Sequence, residues 1–275
     1  MHASQAEKAN RFQALHHRPG AFVIPNPWDA GTARILTSLG FEALATTSAG
    51  LAFTLGRRDG DGSVSRDEAL ANAKAIVDAT DLPVAADLEN GYGDSPEAAA
   101  ETIRLAGQTG LVGASIEDTT GDSRRPIYDF QQAVERVAAA AEASRALPFS
   151  FMFVARAENF LHGRPDLDDT IRRLQAFEAA GADVLYAPGL TRAEDIRTVC
   201  AAVRKPVNVV MGLKSTSFSV AELAALGVRR ISVGSALSRA ALGAFVRAAR
   251  EIREHGTFLF AEDALPYAEA NDLVV

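Results

Sequence analysis

One unit of hydrophobic and polar positions recurs along the chain: an amphipathic, Ala-rich segment, a glycine, and a short apolar run typical of a β-strand. It occurs in "ARILTSLGFEALATT", "ETIRLAGQTGLVGASIED", "LQAFEAAGADVLYAPG" and "VAELAALGVRRISVG". The glycines between the two parts, Gly40, Gly110, Gly181 and Gly227, suit the left-handed residue that ends many helices. The pattern therefore predicts helices that alternate with strands.

Eight apolar runs along the chain are predicted to be strands. They lie near residues 21–25, 42–47, 83–87, 112–117, 149–156, 183–187, 206–211 and 230–233. Each is followed by a helix-length segment, and eight such units match the size of a (β/α)₈ barrel. A doubly wound sheet is the alternative, but "IPNPWDAGTA" stands after the first strand in place of a Gly-rich phosphate loop. We predict one α/β domain over residues 1–275, a (β/α)₈ TIM barrel. About residues 251–275 are predicted to form a helical C-terminal tail that packs on the barrel or on a neighbouring subunit.

Composition and charge narrow the class of protein. The chain is 48% hydrophobic and 23% charged, as expected for a globular protein with a large core. Its single cysteine, Cys200, excludes a disulfide framework and a thiolate metal site. The net charge of −7 and the scattered arginines argue against a nucleic-acid surface. No apolar run approaches the roughly 20 residues that cross a bilayer, and the first segment is polar, so we expect a cytoplasmic protein without membrane contact.

Polar residues gather at the predicted C-terminal ends of the strands, where barrel enzymes have their active sites. These residues are Thr46, Thr47, Ser48, Gly50, Asp87, Glu89, Glu117, Asp118, Arg156, Glu158 and Asn208. Asp87, Glu89 and Glu117 would repel one another there unless a cation compensated them. Oxygen ligands without His or Cys favour Mg²⁺ or Mn²⁺. The alternative is a structural network in which Arg156 alone neutralises them, and the spacing does not decide between the two.

Other segments offer groups for a small anionic ligand. The Arg156 guanidinium can hold a carboxylate or phosphonate, or it can balance a neighbouring acid. The segment "TTSAGLA", residues 46–52, offers hydroxyls and backbone N–H groups to a carboxylate, or it is only a small-residue turn. In the next loop, Asp59 or Asp61 can act as a lid residue over the mouth of the barrel.

Histidine does not fall at any of the predicted strand ends. His162 alone lies in a loop on the same side of the barrel; it can approach the mouth, but a solvated role is expected. General acid–base chemistry therefore falls on carboxylates or on a metal-bound water. Ser65 with Glu68 predicts a capping box at the start of the helix after the Asp59 loop.

Seven phrases, in this order and at these barrel positions, resemble those of the isocitrate lyase/phosphoenolpyruvate mutase family. They are "PNPWDAGTARIL", "TTSAGLAFTLGRRDGD", "AADLENGYGD", "SIED", "ARAEN", "GADVLYAPG" and "PVNVV", between about Phe22 and Phe245. The resemblance implies an eight-stranded barrel that binds Mg²⁺, with Mn²⁺ as the alternative. It also implies a small-molecule ligand, a 2-oxo acid or dicarboxylate, in which a C–C or P–C bond beside the carbonyl is made or broken.

The resemblance further assigns roles to individual residues. It implies Asp87, Glu89 and Glu117 as metal ligands; Thr47, Ser48, Ala49, Gly50, Asp87, Arg156 and Asn208 as substrate contacts; and Asp59, Glu117 and Arg156 as catalytic groups. A divalent ion chelated by the 2-oxo and carboxylate oxygens would stabilise the enolate left after bond cleavage. Family members commonly assemble as dimers or tetramers that exchange their last helices, and the apolar "TFLF" of the tail suits that.

The chain departs from the family in two places. True isocitrate and methylisocitrate lyases carry a Lys-Lys/Arg-Cys-Gly-His loop after the fourth strand, whereas "DTTGDSRRPIYDF" has neither Cys nor His. Cleavage of isocitrate by that cysteine is therefore not expected. Pro188 stands where the family has a strand-six glutamate. The phosphonopyruvate-handling branch has Lys and Asn in the same loop, where only Arg124 or Arg125 offers a cation here.

The sequence thus predicts a Mg²⁺-dependent lyase or decarboxylase that acts on a small 2-oxo or 2-hydroxy mono- or dicarboxylate through an enolate. Two alternatives stay open. One is a mutase or hydrolase that acts on the P–C bond of a phosphonopyruvate-like substrate. The other is a barrel that binds 2-oxo acids without turnover.

Overall fold

Eight short parallel strands form one sheet in the computed structural model, which describes residues 3–212 and 217–274. The strands are β1 (Phe22–Ile24), β2 (Leu44–Ala45), β3 (Val84–Asp87), β4 (Gly113–Glu117), β5 (Met152–Arg156), β6 (Val184–Tyr186), β7 (Val207–Val210) and β8 (Arg230–Ser232). Their hydrogen-bonded order is β1-β8-β7-β6-β5-β4-β3-β2. The predicted (β/α)₈ barrel is confirmed, and each predicted strand contains one of these.

Strands β1 and β2 lie at the two ends of that order, and Asn26 helps to close the barrel between them. The Ala45 N–H donates to the Pro25 carbonyl at 3.0 Å. The Asn26 side chain donates to the Thr46 carbonyl and accepts from the Val233 N–H, both at 2.9 Å. Asn26 therefore joins the polypeptide after β1 to the ends of both β2 and β8.

Helices between the strands form the outer layer. They are α1 (Gln5–His17), α2 (Ala30–Ser38), α3 (Ser48–Thr54), α4 (Arg66–Asp78), α5 (Pro96–Gln108), α6 (Phe130–Arg145), α7 (Leu167–Ala180), α8 (Ala193–Ala202), α9 (Val220–Ala225) and α10 (Ala236–His255). The predicted capping box of Ser65 and Glu68 starts α4, and Gly181 ends α7 in the left-handed conformation at φ 110°. None of the helices in the described ranges is long and apolar enough to cross a bilayer.

The interior of the barrel is apolar below the strand ends. Helix α1 covers the N-terminal end, where its Phe12 and Leu15 pack with Ile24, Val154 and Val184. Burying such side chains typically stabilises a fold by about 1.5–3 kcal/mol each, so α1 belongs to the core although it precedes the first strand. His16 of α1 and Arg230 of β8 are buried polar exceptions at this end, and the Arg230 guanidinium lies 5.8 Å from the centre of the Phe12 ring. The carboxylates of the predicted site lie at the opposite, C-terminal end of the strands.

The chain after β8 extends beyond the barrel. Helix α10 continues to His255, and the residues after Gly256 contain a 3₁₀ turn, Leu259–Glu262, and a last helix, α11 (Tyr267–Leu273). Helix α11 contacts α2 of its own barrel, and Arg34 donates to the Val274 carbonyl at 2.8 Å. In α10, by contrast, only Ser238 is buried.

Arg136 is a buried charge on α6 that fixes the loop after β3. Its side chain donates to the carbonyls of Gly93 at 2.6 Å, Ser95 at 3.2 Å and Asn90. The guanidinium lies 4.4 Å from the centre of the Tyr128 ring, and the residue is 2% exposed. Burial lowers the pKa of Arg136, so the carbonyl dipoles and the ring stand in for an anionic partner.

We predict that Arg136→Met destabilises the fold by about 3 kcal/mol, because the side chain keeps its volume while buried carbonyls lose their donor. Urea unfolding measures this difference. Arg104→Met is the matched control, since Arg104 is an exposed arginine on α5 that pairs with Glu101. A loss of stability no larger than that of the control would show that water replaces the guanidinium without cost.

Candidate active site

A cavity of about 530 Å³ opens at the carboxyl ends of the strands, and we call it the strand-end cavity. Its lining residues are Ser48, Asp59, Gly60, Glu89, Glu117, Thr119, Gly121, Asp122, Ser123, Pro126, Arg156, Glu158, Leu161 and His162. Five of the residues predicted to form the site therefore line one space: Ser48, Asp59, Glu89, Glu117 and Arg156. Parallel strands bring these distant residues together because all their carboxyl ends meet at one side of the barrel.

Arg156, at the end of β5, is the central cation of the cavity. It binds Asp87 through Nη1 at 2.9 Å, Glu117 through Nη2 at 2.9 Å and Glu158 through Nε at 2.7 Å. Burial opposes its charge, but Glu117, Glu158 and Asp87 together raise the pKa of Arg156 above its ordinary value. Each Nη group keeps one further N–H. The prediction that this guanidinium points into the mouth is confirmed, and so is its pairing with the neighbouring acids.

Asp87 connects Arg156 to the start of α3. Its second carboxylate oxygen accepts from the Ser48 hydroxyl at 2.9 Å and from the Ser48 N–H at 3.3 Å. The Asp87 N–H donates to the Thr46 hydroxyl at 3.0 Å. The Thr47 hydroxyl is used locally, because it accepts from the Gly50 N–H and caps α3. Ser48 is therefore the residue of this turn that faces the carboxylate cluster.

The other predicted substrate contacts lie outside the cavity lining. Ala49 and Gly50 belong to the first turn of α3, and a Cβ on Gly50 would lie 2.9 Å from the Cβ of Trp28. Asn208 is 2% exposed inside the barrel and donates to the Ser232 hydroxyl at 3.1 Å. The substrate contacts of Thr47, Ala49, Gly50 and Asn208 stay predictions.

The loop after β3 has an unusual backbone that sets the position of Glu89. Glu89 and Tyr92 have φ of 45° and 57°, and Gly91 between them has φ of 81°. Left-handed conformations are uncommon for residues other than glycine and cost about 1 kcal/mol or more. The Glu117 N–H holds this turn by donating to the Glu89 carbonyl at 2.9 Å, while Arg136 binds the following carbonyls. The strain therefore serves to present Glu89 beside Glu117.

Glu89 is an acid without a cation. Among the described residues, no hydrogen bond or ion pair reaches its carboxylate. Burial, followed by the charges of Asp87 and Glu117, raises the pKa of Glu89 to about 8. The cavity thus holds more carboxylates than Arg156 neutralises.

These carboxylates fit a divalent cation by their chemistry. They are hard oxygen donors, one of them is unpaired, and their charge is under-compensated. Within residues 3–212 and 217–274, no three acidic, His or Cys side chains converge on one point as metal ligands do. Asp87 and Glu117 are directed to Arg156 instead. The ligand set of Asp87, Glu89 and Glu117 stays a prediction that requires one or both acids to turn from Arg156.

Asp59 lies at the rim of the strand-end cavity, on the loop between α3 and α4. Partial burial and then the charges of Asp87 and Glu117 raise the pKa of Asp59. Asp61 does not line the cavity; its carboxylate accepts from the Ser63 N–H at 3.0 Å. Of the two aspartates predicted as lid residues, Asp59 is thus the one beside the cluster.

The loop after β4 places no arginine in the cavity lining. Arg124 is 88% exposed on its side chain and pairs with Asp122 at 2.9 Å, and Arg125 does not line the cavity either. Thr119 at the start of this loop donates to Glu117 at 2.7 Å. His162 is exposed, as predicted, yet it lines the cavity from the loop after β5.

Arg136 and Thr119 were not among the site residues predicted from the sequence. Arg136 interrupts the Ala-rich face of "AVERVAAAAEA", and a charge on an otherwise apolar helix face is a signal of a buried partner. Thr119 directly follows the "IED" phrase, but no periodic pattern marks it. Both residues act on the site through others, one on the Glu89 turn and one on Glu117.

Comparison with known proteins identifies the family to which this chain belongs. Residues 12–253 match the family model described as phosphoenolpyruvate phosphomutase. A crystal structure from Burkholderia cenocepacia J2315, described as a candidate lyase/mutase, has 60% identity and a TM-score of 0.95, with 98% of this chain and 95% of that chain covered. The chain is 28% identical to 2,3-dimethylmalate lyase of Eubacterium barkeri, over 92% of this chain and 89% of the relative. It is 30% identical to oxaloacetate decarboxylase of Ectopseudomonas mendocina (strain ymp), over 91% of this chain and 86% of the relative. With the barrel and its strand-end acids already described, these matches show that the chain belongs to the phosphoenolpyruvate mutase/isocitrate lyase superfamily.

Proposed function

We propose that this protein is a Mg²⁺-dependent carbon–carbon lyase or decarboxylase that acts on a small 2-oxo or 2-hydroxy acid. The observation that carries the proposal is the unpaired Glu89 beside Asp87 and Glu117, an acid cluster with one guanidinium to balance it. The names of the two curated relatives, a dimethylmalate lyase and an oxaloacetate decarboxylase, support C–C bond cleavage in a small carboxylate. Mn²⁺ is the alternative ion, and a cytoplasmic location stays a prediction.

The residues of the cavity have distinct tasks in this proposal. Asp87, Glu89 and Glu117 hold the ion, which when bound would polarise the 2-oxo group and stabilise negative charge on the enolate. Arg156 pairs with two of these acids and offers its remaining N–H groups to a substrate carboxylate. Ser48 holds Asp87 in place through its hydroxyl and N–H groups. Cleavage of the C–C bond leaves an electron pair that the guanidinium helps to stabilise.

Asp59 is the proton carrier in this proposal. Burial, followed by the charges of Asp87 and Glu117, raises the pKa of Asp59. With a 2-oxo acid that loses CO₂, Asp59 can deliver its proton to the enolate carbon after bond cleavage; with a 2-hydroxy acid, its carboxylate would first take the hydroxyl proton and then return it to the enolate carbon. Its place on a loop at the rim also lets it close over a bound ligand. The acid–base cysteine of the isocitrate lyases has no counterpart in this chain, and in this proposal Asp59 transfers the proton instead.

We predict that the protein with Mg²⁺ releases a 2-oxo acid from at least one of oxaloacetate, 2,3-dimethylmalate and 2-methylisocitrate. Coupled dehydrogenase assays or NMR detect the product, EDTA abolishes its formation and added Mg²⁺ restores it. Glu89→Gln raises the Mg²⁺ concentration needed for half activity by about tenfold or more, because a ligand is lost. Glu97→Gln, an exposed acid at the start of α5, leaves it unchanged.

Two other results would replace this proposal. Release of phosphate from phosphonopyruvate, without C–C cleavage of any compound tested, would favour the P–C alternative. Binding of 2-oxo acids with no product from either class of substrate would favour the non-catalytic alternative.

We predict that Asp59→Asn lowers kcat by a factor of about 100 to 10,000 while the substrate still binds, since the amide cannot transfer a proton. Steady-state kinetics and a separate binding titration measure the two effects. Asp61→Asn is the matched control in the same loop, and its kcat is expected to remain that of the wild type. Equal kcat values for the two variants would remove Asp59 from the reaction.

We also propose that the protein assembles as a homodimer or homotetramer through α10. Along this helix the exposed apolar residues are Leu237, Leu242, Phe245, Val246 and Ile252, and Phe245 is 70% exposed. A contiguous apolar stripe of this kind marks an interaction surface. The tail adds Phe258 and Leu259 close to the end of the helix.

We predict a mass in solution of at least twice 29.1 kDa, measured by light scattering during gel filtration. Phe245→Asp shifts the protein toward the monomer, because a charge cannot be buried in an apolar interface without a partner. Leu39→Asp alters an isolated exposed leucine after α2 and leaves the mass unchanged. A wild-type protein that is monomeric at all concentrations contradicts the proposal.

A further inference from the structure

A second space adjoins the strand-end cavity on the side of α4, and we call it the Arg66 compartment. It has a volume of about 540 Å³. It shares five lining residues with the strand-end cavity: Gly60, Glu89, Glu117, Thr119 and Gly121. The two spaces are therefore continuous across the proposed metal ligands, and a ligand at those acids can extend into either of them.

Arg66 is the one cation among the described residues that line this compartment. It occupies the first position of α4, and its side chain makes no ion pair or hydrogen bond within the described ranges. Its Nε is buried without a partner, whereas its two Nη groups are not among the buried unpaired atoms. Within the described ranges, both terminal groups of the guanidinium are therefore without a protein partner.

The backbone around Arg66 is held in place by neighbouring polar contacts. Ser65 and Glu68 form the capping box that starts α4, and Arg57 binds both carboxylate oxygens of Glu68 at 2.8 Å. Arg57 also donates to the Ser63 carbonyl at 2.8 Å. Because Arg57 occupies both carboxylate oxygens of Glu68, this acid is not available to pair with Arg66. The backbone that carries Arg66 is thus held in place, while its guanidinium is unpaired within the described ranges.

Tyr92 lies on the wall of the same compartment and also has an unpaired polar atom. Its hydroxyl is buried without a hydrogen-bond partner among the described residues. The ring packs against the apolar cluster of Leu51, Ala52, Val64 and Ala69. Asp67, Glu89 and Glu117 also line the compartment, but the unpaired guanidinium and hydroxyl beside its apolar wall are the groups that can receive an anionic group of a ligand.

We propose that the Arg66 compartment binds the second anionic group of the substrate, a carboxylate, while the 2-oxo acid end lies at Glu89, Glu117 and Arg156. The planar guanidinium can hold that carboxylate through both Nη groups. Arg156 is a poorer candidate for this group, because three carboxylates of the protein already occupy it. The proposal rests on the function proposed above and narrows its substrates to acids that carry a second carboxylate.

Direct binding titrations in Mg²⁺ test this proposal with pairs of ligands that differ only in the terminal group. The pairs are 2-oxoglutarate with 2-oxopentanoate, and 2-oxoadipate with 2-oxohexanoate. In the wild type we expect the second carboxylate to tighten binding by about 10- to 100-fold for at least one pair. In Arg66→Met we expect the dicarboxylate to bind within about twofold of its partner, with the affinity of the monocarboxylate unchanged. Arg66→Lys should recover part of the difference, because it keeps the charge but loses the fork.

Two control variants separate Arg66 from other cations. Arg58→Met changes an arginine of the same segment that lines neither space and should preserve the full difference between the paired ligands. His162→Gln changes a histidine that lines the strand-end cavity. Loss of the difference in His162→Gln and its survival in Arg66→Met would overturn the proposal.

The outcomes also distinguish this proposal from the proposed function. If neither the paired ligands nor oxalate bind to the wild type in Mg²⁺, the proposed 2-oxo acid site is wrong, and the Arg66 assignment fails with it. If the monocarboxylates and oxalate bind but no second carboxylate tightens binding, the 2-oxo acid site stands and the Arg66 proposal alone is overturned.

Discussion

The balance of charge around Arg156 governs the arrangement of the whole site. Asp87, Glu117 and Glu158 share one guanidinium, while Glu89 and Asp59 lie close by and form no ion pair with any residue that the structure describes. The register of the barrel creates this crowding, because Glu117 on β4 lies directly beside Arg156 on β5. Burial, followed by the like charges of Asp87 and Glu117, raises the pKa of Glu89. The cluster therefore carries an excess of negative charge that a bound metal ion would compensate before an anionic substrate binds.

The geometry of this cluster is determined largely from outside the sheet. The turn that carries Glu89 is held by Arg136 of α6, and the loop after β5 is held by buried Asp118, which accepts from the Glu158 N–H at 2.8 Å. Asp118 is bound in turn by Arg173 of α7 at 3.0 Å. Two helices of the outer layer thus position two acids of the mouth through buried charges. Because Arg136 and Arg173 hold these loops from the outer layer, the residues at the strand ends do not have to do so and can interact with a ligand.

The sequence predicted the barrel and most of the residues that line its mouth, because both follow from local pattern. Short apolar runs mark the strands, and a polar residue directly after such a run must lie at the strand end. What the sequence did not predict depends on contacts between distant segments. Arg136 binds main-chain carbonyls of the β3 loop, which leave no trace in side-chain patterns. The positions of the His162 and Arg124 side chains depend on loop conformation. Arg124 also pairs with Asp122, two residues away. The unpaired state of Arg66 could not be predicted either, because it depends on the ion pair between Arg57 and Glu68.

The left-handed backbone of Tyr92, at φ 57°, has a consequence for attempts to improve this protein. A glycine or asparagine would relieve the strain at that position, and a screen for thermal stability would select such a change. The same change would remove the ring that walls the Arg66 compartment. A substitution at residue 92 is therefore expected to raise thermal stability at the expense of ligand selectivity. Consensus-based stabilisation of this barrel should leave Tyr92 unaltered.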